Sequence, residues 1–145
     1  ILDSVSTAMP PLERAWKLEK KAAKAGFDWI EAGAVWDKVA EELAETREAC
    51  TRLSESAGTG ADVEGSELHA HLEEELGDLL FSVINIARFL KVDPGLALHR
   101  TNAKFTRRFH HVERRMAEKS LPMEASTFAV MDSLWNEAKE TERRS

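Results

Sequence analysis

Two short acidic stretches, Glu41-Glu42-Leu43-Ala44-Glu45 and Glu73-Glu74-Glu75-Leu76-Gly77-Asp78, carry the side chains best suited to chemistry. Each holds a pair three residues apart, Glu42 with Glu45 and Glu75 with Asp78, and on a helix that spacing points both side chains the same way. Facing each other, the pairs make a four-carboxylate site. Such a cluster repels itself in any partly buried place unless a cation is present, and ligation by oxygen alone selects a hard ion, Mg²⁺ or Mn²⁺. The plain alternative is a solvated acidic face, because Glu is a strong helix former. Asp78 and Gly77 weigh against it: both are poor helix formers, Gly by roughly 1 kcal/mol relative to Ala, and both lie against an apolar run. Gly77 itself leaves room for a ligand, close helix approach or plain packing as open readings.

Basic side chains gather further along, at Arg100, Lys104, Arg107, Arg108, Arg114 and Arg115. Lys104 precedes the two central arginines by three and four residues and can share a helix face with either. An arginine fork suits phosphate geometry, so this segment could neutralise a polyphosphate. A solvated stripe paired with the acidic helices is the other reading. Trp16, Trp29, Trp36 and Trp135 can stack on a base, although tryptophan at helical spacing is more often core. His69 and His71 point to different helix sides, His110 and His111 are adjacent, and His99 stands alone, which reads as surface.

The elements that must position these groups are helical. Leu12, Ala15, Trp16 and Leu18 recur at helical spacing behind Pro10 and Pro11, predicting a helix over 12–24 that Gly26 can end. A second helix is predicted over about 35–52, with Val35, Trp36, Val39 and Leu43 on one stripe. Residues 54–66 are rich in glycine and serine and read as a flexible loop. A third helix, about 67–90, is acidic in its first half and apolar nearly all round in its second, so it must be covered on more than one side. Asp93-Pro94 starts a fourth helix reaching about residue 118, and Ser126 or Thr127 can cap a last one carrying Val130, Leu134 and Ala138. With no β-rich alternation, the fold expected is all-α: four main helices and a shorter terminal one, in a bundle completed by a second copy as a homodimer.

Composition narrows the function classes. The 145 residues, 43% hydrophobic, suit one domain. Acidic residues outnumber basic ones 26 to 20, and the net charge of -6 opposes binding to nucleic acid polymers or anionic membranes. The single cysteine, Cys50, excludes an intrachain disulfide and has no metal or redox spacing, which fits a reducing cytoplasm. The apolar run 79–90 is too short to span a bilayer, and residues 1–7 lack the basic start of a signal peptide. A chain opening on Ile1 without Met suggests excision from a longer parent, with residues 1–11 as linker and 12–145 as the domain.

Several ordered motifs resemble the MazG nucleoside triphosphate pyrophosphohydrolases of the all-α NTP pyrophosphatase superfamily, in particular the C-terminal of their two tandem domains. They are Gly26-Phe27-Asp28-Trp29, Asp37-Lys38-Val39 with Glu41-Glu42, the run from Leu72 through Glu75 and Asp78 to Phe81, Asn85 to Arg88, and Asn102-Ala103-Lys104-Phe105-Thr106-Arg107-Arg108-Phe109. The likeness extends from about residue 12 to residue 135. Two departures stand out: the interval between Glu45 and Glu75 is longer than usual, and His71 occupies a position where such a relative carries lysine near the nucleotide.

The resemblance implies Mg²⁺-dependent hydrolysis of a nucleoside triphosphate between the α and β phosphates, giving monophosphate and pyrophosphate. It implies Glu42, Glu45, Glu75 and Asp78 as metal ligands, Lys38, Lys104 and Arg108 as substrate contacts with Arg107 beside them, and Trp135 next to the nucleotide. A spare carboxylate would accept the proton of the attacking water. Glu41 is the candidate, and Glu74 could serve equally. Competing readings are a narrower dUTP or dCTP pyrophosphatase and a non-catalytic helical dimerisation module.

Overall fold

The computed structural model describes residues 1–57 and 66–144, and among them every regular element is helical. They are α1 (Pro11–Lys24), α2 (Ala32–Ala57), α3 (Glu67–Phe89), α4 (Pro94–Glu118) and α5 (Phe128–Arg144), with 3-10 turns at Leu2–Ser4 and Ala125–Thr127. The all-α expectation is met. Helix α2 starts earlier and ends later than the apolar pattern indicates, so 54–57 is helical. The rest of the expected loop, 58–65, lies outside the described residues. At 17 residues the terminal helix is longer than α1, which has 14. Among the described residues, no helix is long and apolar enough to cross a membrane.

Local chemistry sets the helix ends. Ser66 caps α3, its hydroxyl accepting from the His69 N–H at 3.2 Å. After α1, Gly26 takes φ +95°, and the Gly26 and Phe27 N–H groups return to the Ala23 and Ala22 carbonyls, both at 3.0 Å. That is a Schellman closure, which glycine adopts without steric cost. It turns the chain directly into the Phe27-Asp28-Trp29 segment. Ser126 and Thr127 lie in the 3-10 turn that leads directly into α5, where the Thr127 hydroxyl donates to the Pro122 carbonyl at 2.7 Å.

The chain forms two compact units, Ile1–Gly95 and Leu96–Ser145. In the first, α2 and α3 run antiparallel as the main pair and α1 packs on α3. Helix α2 buries Val35, Glu42 and Ala49, a seven-residue repeat that keeps one seam facing its partner. The expected stripe of Val35, Trp36, Val39 and Leu43 is therefore only half right: Trp36 and Leu43 are 54% and 48% exposed. A carboxylate takes the interior position instead. On α3, Ser82 and Ile84 are buried, while Leu76, Leu80 and Val83, with Leu90 at the C-cap, form an exposed apolar stripe. In the second unit Val112, Met116 and Leu134 form the core, with Val130, Met131 and Trp135 against it. None of the four tryptophans is buried.

Candidate functional site

The α2/α3 seam positions the acidic groups. Carboxylate oxygens of Glu42, Glu75 and Asp78 lie within 4.8 Å of one another, and those of Glu41, Glu42 and Glu45 form a second such group. The four expected ligands thus do not fall in one group: Glu45 clusters with Glu41 and Glu42, and Glu75 and Asp78 cluster with Glu42. This shared residue is 6% exposed, Glu75 is half-buried, and Asp78, Glu41 and Glu45 are exposed. Burial, the negative charges of Glu42 and Glu75, and that of Glu41 hold the Glu45 carboxyl above its usual range, with Lys38 opposing. Carboxylates gathered at a buried oxygen and countered by one lysine fit a hard divalent cation.

Lys38 is that lysine. Its Nζ donates to Glu41 at 2.8 Å and lies 2.6 Å from Glu42, one turn along α2. These two bonds, Glu41's first, raise the lysine well above its ordinary range, so it stays charged. Thr46, one turn beyond Glu42, donates its hydroxyl to the Glu42 carbonyl at 2.8 Å and reaches the Glu75 carbonyl at 3.2 Å. It ties the two carboxylate-bearing turns together. His71 Nδ1 is 3.6 Å from Glu75 Oε1, beside the acidic group rather than within it. Glu74 is exposed. A methyl group on Gly77 would meet nothing within 4 Å, so close helix approach does not explain that glycine.

A cavity of about 770 Å³ opens beside the carboxylates, with Lys38, Glu42 and Asp78 in its wall. Its other walls include Trp29, Phe81 and Asn85. Arg88 is clamped by Asp28, donating from Nη1 at 3.0 Å and also from Nη2 to the other oxygen, and it donates from Nε to Asn85 Oδ1 at 3.0 Å. That bond helps hold the Asp28 carboxyl below its usual range. The Asp28, Asn85 and Arg88 positions carry part of the family likeness, but spacing alone gives them no role because their bond joins residues far apart in sequence.

In the second unit the basic residues are already engaged. Arg107 donates to Glu142 Oε1 from Nε at 2.9 Å and from Nη2 at 2.6 Å, and Arg108 makes the same two contacts to Oε2. Their hydrogen bonds hold Glu142 below the usual carboxylate range. Arg108 also lies over the Trp135 ring at 5.8 Å, and Phe105 packs on that ring at 5.1 Å. Lys104 is exposed. The carboxylate that both arginines share, Glu142, is on α5. Glu142 was not legible as their partner from sequence.

Comparison with known proteins matches residues 33–113 to the MazG nucleotide pyrophosphohydrolase domain. The chain is 39% identical over 141 residues to the nucleoside triphosphate pyrophosphohydrolase of Escherichia coli K12, covering 97% of this chain and 49% of that protein. To the nucleoside triphosphate pyrophosphohydrolase/pyrophosphatase MazG of Thermotoga maritima it is 33% identical over 138 residues, 95% of this chain and 48% of that one. A 78-residue segment is 50% identical to the uncharacterized protein YabN of Bacillus subtilis, covering 53% of this chain and 16% of YabN. The chain thus spans about half the length of the first two relatives. The matched domain takes in both acidic triads and the Lys104 to Arg108 segment, while Trp135 lies beyond it. This chain belongs to the MazG nucleotide pyrophosphohydrolase family.

Proposed function

We propose that this chain hydrolyses nucleoside triphosphates at the α–β phosphoanhydride, releasing nucleoside monophosphate and pyrophosphate with the help of a divalent cation. The observation that carries the proposal is the convergence of Glu42, Glu75 and Asp78 beside a cavity whose wall holds Glu42, Asp78 and Lys38. At about 770 Å³ that cavity falls in the range of small-molecule sites. The nucleoside triphosphate pyrophosphohydrolases among its relatives support the same reading.

Glu42, Glu45, Glu75 and Asp78 would hold the cation, Mg²⁺ with Mn²⁺ as a substitute. Bound there, it supplies neutralisation of phosphate oxygens and charge stabilisation as they part. A water attacks the α-phosphorus, its oxygen forms the new P–O bond, and the bond from that phosphorus to the bridging oxygen breaks toward pyrophosphate. Glu41 is the proposed acceptor of the water's proton, with Glu74 the alternative. Lys38, fixed between Glu41 and Glu42, keeps a permanent positive charge for the polyphosphate. On the family likeness, Lys104, Arg107 and Arg108 are proposed as contacts of the polyphosphate and Trp135 as a contact of the nucleotide.

The test is pyrophosphate release across ribo- and deoxyribonucleoside triphosphates, with and without Mg²⁺. Release from none of them would overturn the proposal, and release from dUTP or dCTP alone would narrow it. The exposed stripe of Leu76, Leu80, Val83 and Leu90, together with Trp36 and Leu43, supports a homodimer. Light scattering at micromolar concentration should return twice the chain mass, and a monomer mass would refute the dimer. A cytoplasmic setting accords with the single cysteine, Cys50.

A further inference from the structure

Glu19 is a carboxylic acid in a place built for an apolar side chain. It follows Leu12, Ala15 and Trp16 at the spacing of one helix face, so α1 turns it toward the interior, where it is 6% exposed. Both of its carboxyl oxygens are buried without a hydrogen-bond partner. The nearest cation, Arg88, stands 4.0 Å away with its guanidinium committed to Asp28 and Asn85. A buried polar group left unsatisfied destabilises the fold, which is hard to reconcile with a purely structural side chain. Glu19 lines the same cavity as Lys38, Glu42 and Asp78.

We propose that Glu19 is the nucleobase-reading group of this chain, its carboxyl turning into the cavity to pair with the Watson–Crick edge of the base. This rests on the nucleotide reading above and adds a rule for selectivity. Burial pushes the Glu19 carboxyl up to about 8, with Arg88 pulling it down and Asp28 pushing it further up. The other charged groups in the cavity wall are Lys38, Glu42 and Asp78. Near neutrality Glu19 is therefore a neutral acid with one donor and one acceptor side by side. Adenine, cytosine, guanine and uracil each offer a neighbouring donor and acceptor on that edge, so the neutral acid can pair with all of them. An ionised carboxylate only accepts, and it matches the two adjacent donors of guanine alone. The arrangement thus gives broad base tolerance at neutral pH and a guanine preference in alkali. Asn85, its Oδ1 taken by Arg88, has Nδ2 to offer a base acceptor in the same wall.

Binding of AMP and GMP, measured by calorimetry at pH 6.0 and 8.5, tests this without turnover. With Glu19 about three quarters ionised at the higher pH, the GMP-to-AMP affinity ratio should rise at least about threefold in the native protein. In Glu19→Gln, which keeps one donor and one acceptor but cannot ionise, the ratio should move by less than about twofold. A flat ratio in the native protein, an equal shift in the variant, or no binding of either nucleotide overturns the proposal. Triphosphate hydrolysis with a flat ratio would refute this inference alone. A shifting ratio without pyrophosphate release would uphold it and refute the hydrolytic reading.

Discussion

The Thr46 hydroxyl on α2 reaches the main-chain carbonyl of Glu75 on α3 at 3.2 Å while donating within its own helix to the Glu42 carbonyl at 2.8 Å. One side chain therefore couples the turns that carry two of the three converging carboxylates. Thr46→Val keeps the shape and removes the hydroxyl, and it should cost about 1 kcal/mol of stability. By loosening the register it should also weaken divalent-cation binding about tenfold, in the way groups behind a metal ligand tune affinity. Thr46→Ser should restore both. Titration of Mg²⁺ into the three proteins checks this, and unchanged affinity in Thr46→Val would confine the contact to packing.

Asp78→Asn separates ligation from folding. Asp78 is exposed and adds to the negative charge around Glu42 and Glu75, so its neutralisation should leave metal-free stability within about 0.5 kcal/mol or raise it. Pyrophosphate release should fall at least about a hundredfold. The thermal shift that Mg²⁺ gives by binding only the folded state should shrink as well. Melts with and without Mg²⁺, alongside the hydrolysis assay, read all three. A lowered metal-free melting temperature with an unchanged Mg²⁺ response would instead make Asp78 structural.

The acidic spacing was readable because two carboxylates three apart on one helix must share a face, whatever the helix packs against. Which face goes inside was less readable. The apolar stripe pointed to Trp36 and Leu43, yet α2 turns Glu42 inward between Val35 and Ala49. Hydrophobic periodicity assumes that burial follows apolarity, and it fails where a carboxylate takes an interior position. Gly77 was ambiguous for a related reason: its helix cost is local, but only the open space around it removes the close-approach reading. Glu19 did carry a signal, a charge on the apolar face of α1. The Arg88 clamp and the Glu142 bridge join residues far apart in sequence, and no local pattern encodes them.

Arg107 and Arg108 share Glu142 but differ in setting. Arg108 is 18% exposed at its side chain and lies over Trp135, whereas Arg107 is 62% exposed. Neutralising Arg107 should therefore cost little stability, and neutralising Arg108 more. Arg108→Ala should lower the melting temperature and raise KM at least about tenfold, the loss of a charge-assisted hydrogen bond to phosphate. Arg107→Ala should leave stability unchanged and affect KM less. Unaltered kinetics in both variants would reduce the pair to a helix clasp.

Glu19 also makes a stability prediction that needs no substrate. Its carboxyl rises from the ordinary 4.5 to about 8 in the folded chain because burial disfavours the ion. Below about pH 4.5 both folded and unfolded chains hold this proton, and pH has no leverage through it. Between about 4.5 and 8 only the folded chain keeps it, so unfolding releases a proton and each rise in pH weakens the fold. Above about 8 both states are ionised and the penalty is constant, on the order of 5 kcal/mol for a shift of this size. Glu19→Gln removes the titration while preserving shape and polarity. The difference in melting temperature, variant minus native, should therefore be smallest at pH 5 and grow up to pH 9, by something on the order of 10 °C. Other titrating groups, Glu45 among them, act on both proteins and largely cancel in that difference. Melts in chelator, with no cation present, measure it directly. A difference that does not change with pH would mean that Glu19 is ionised in the folded protein, and the neutral-acid basis of its base-reading role would fall with it.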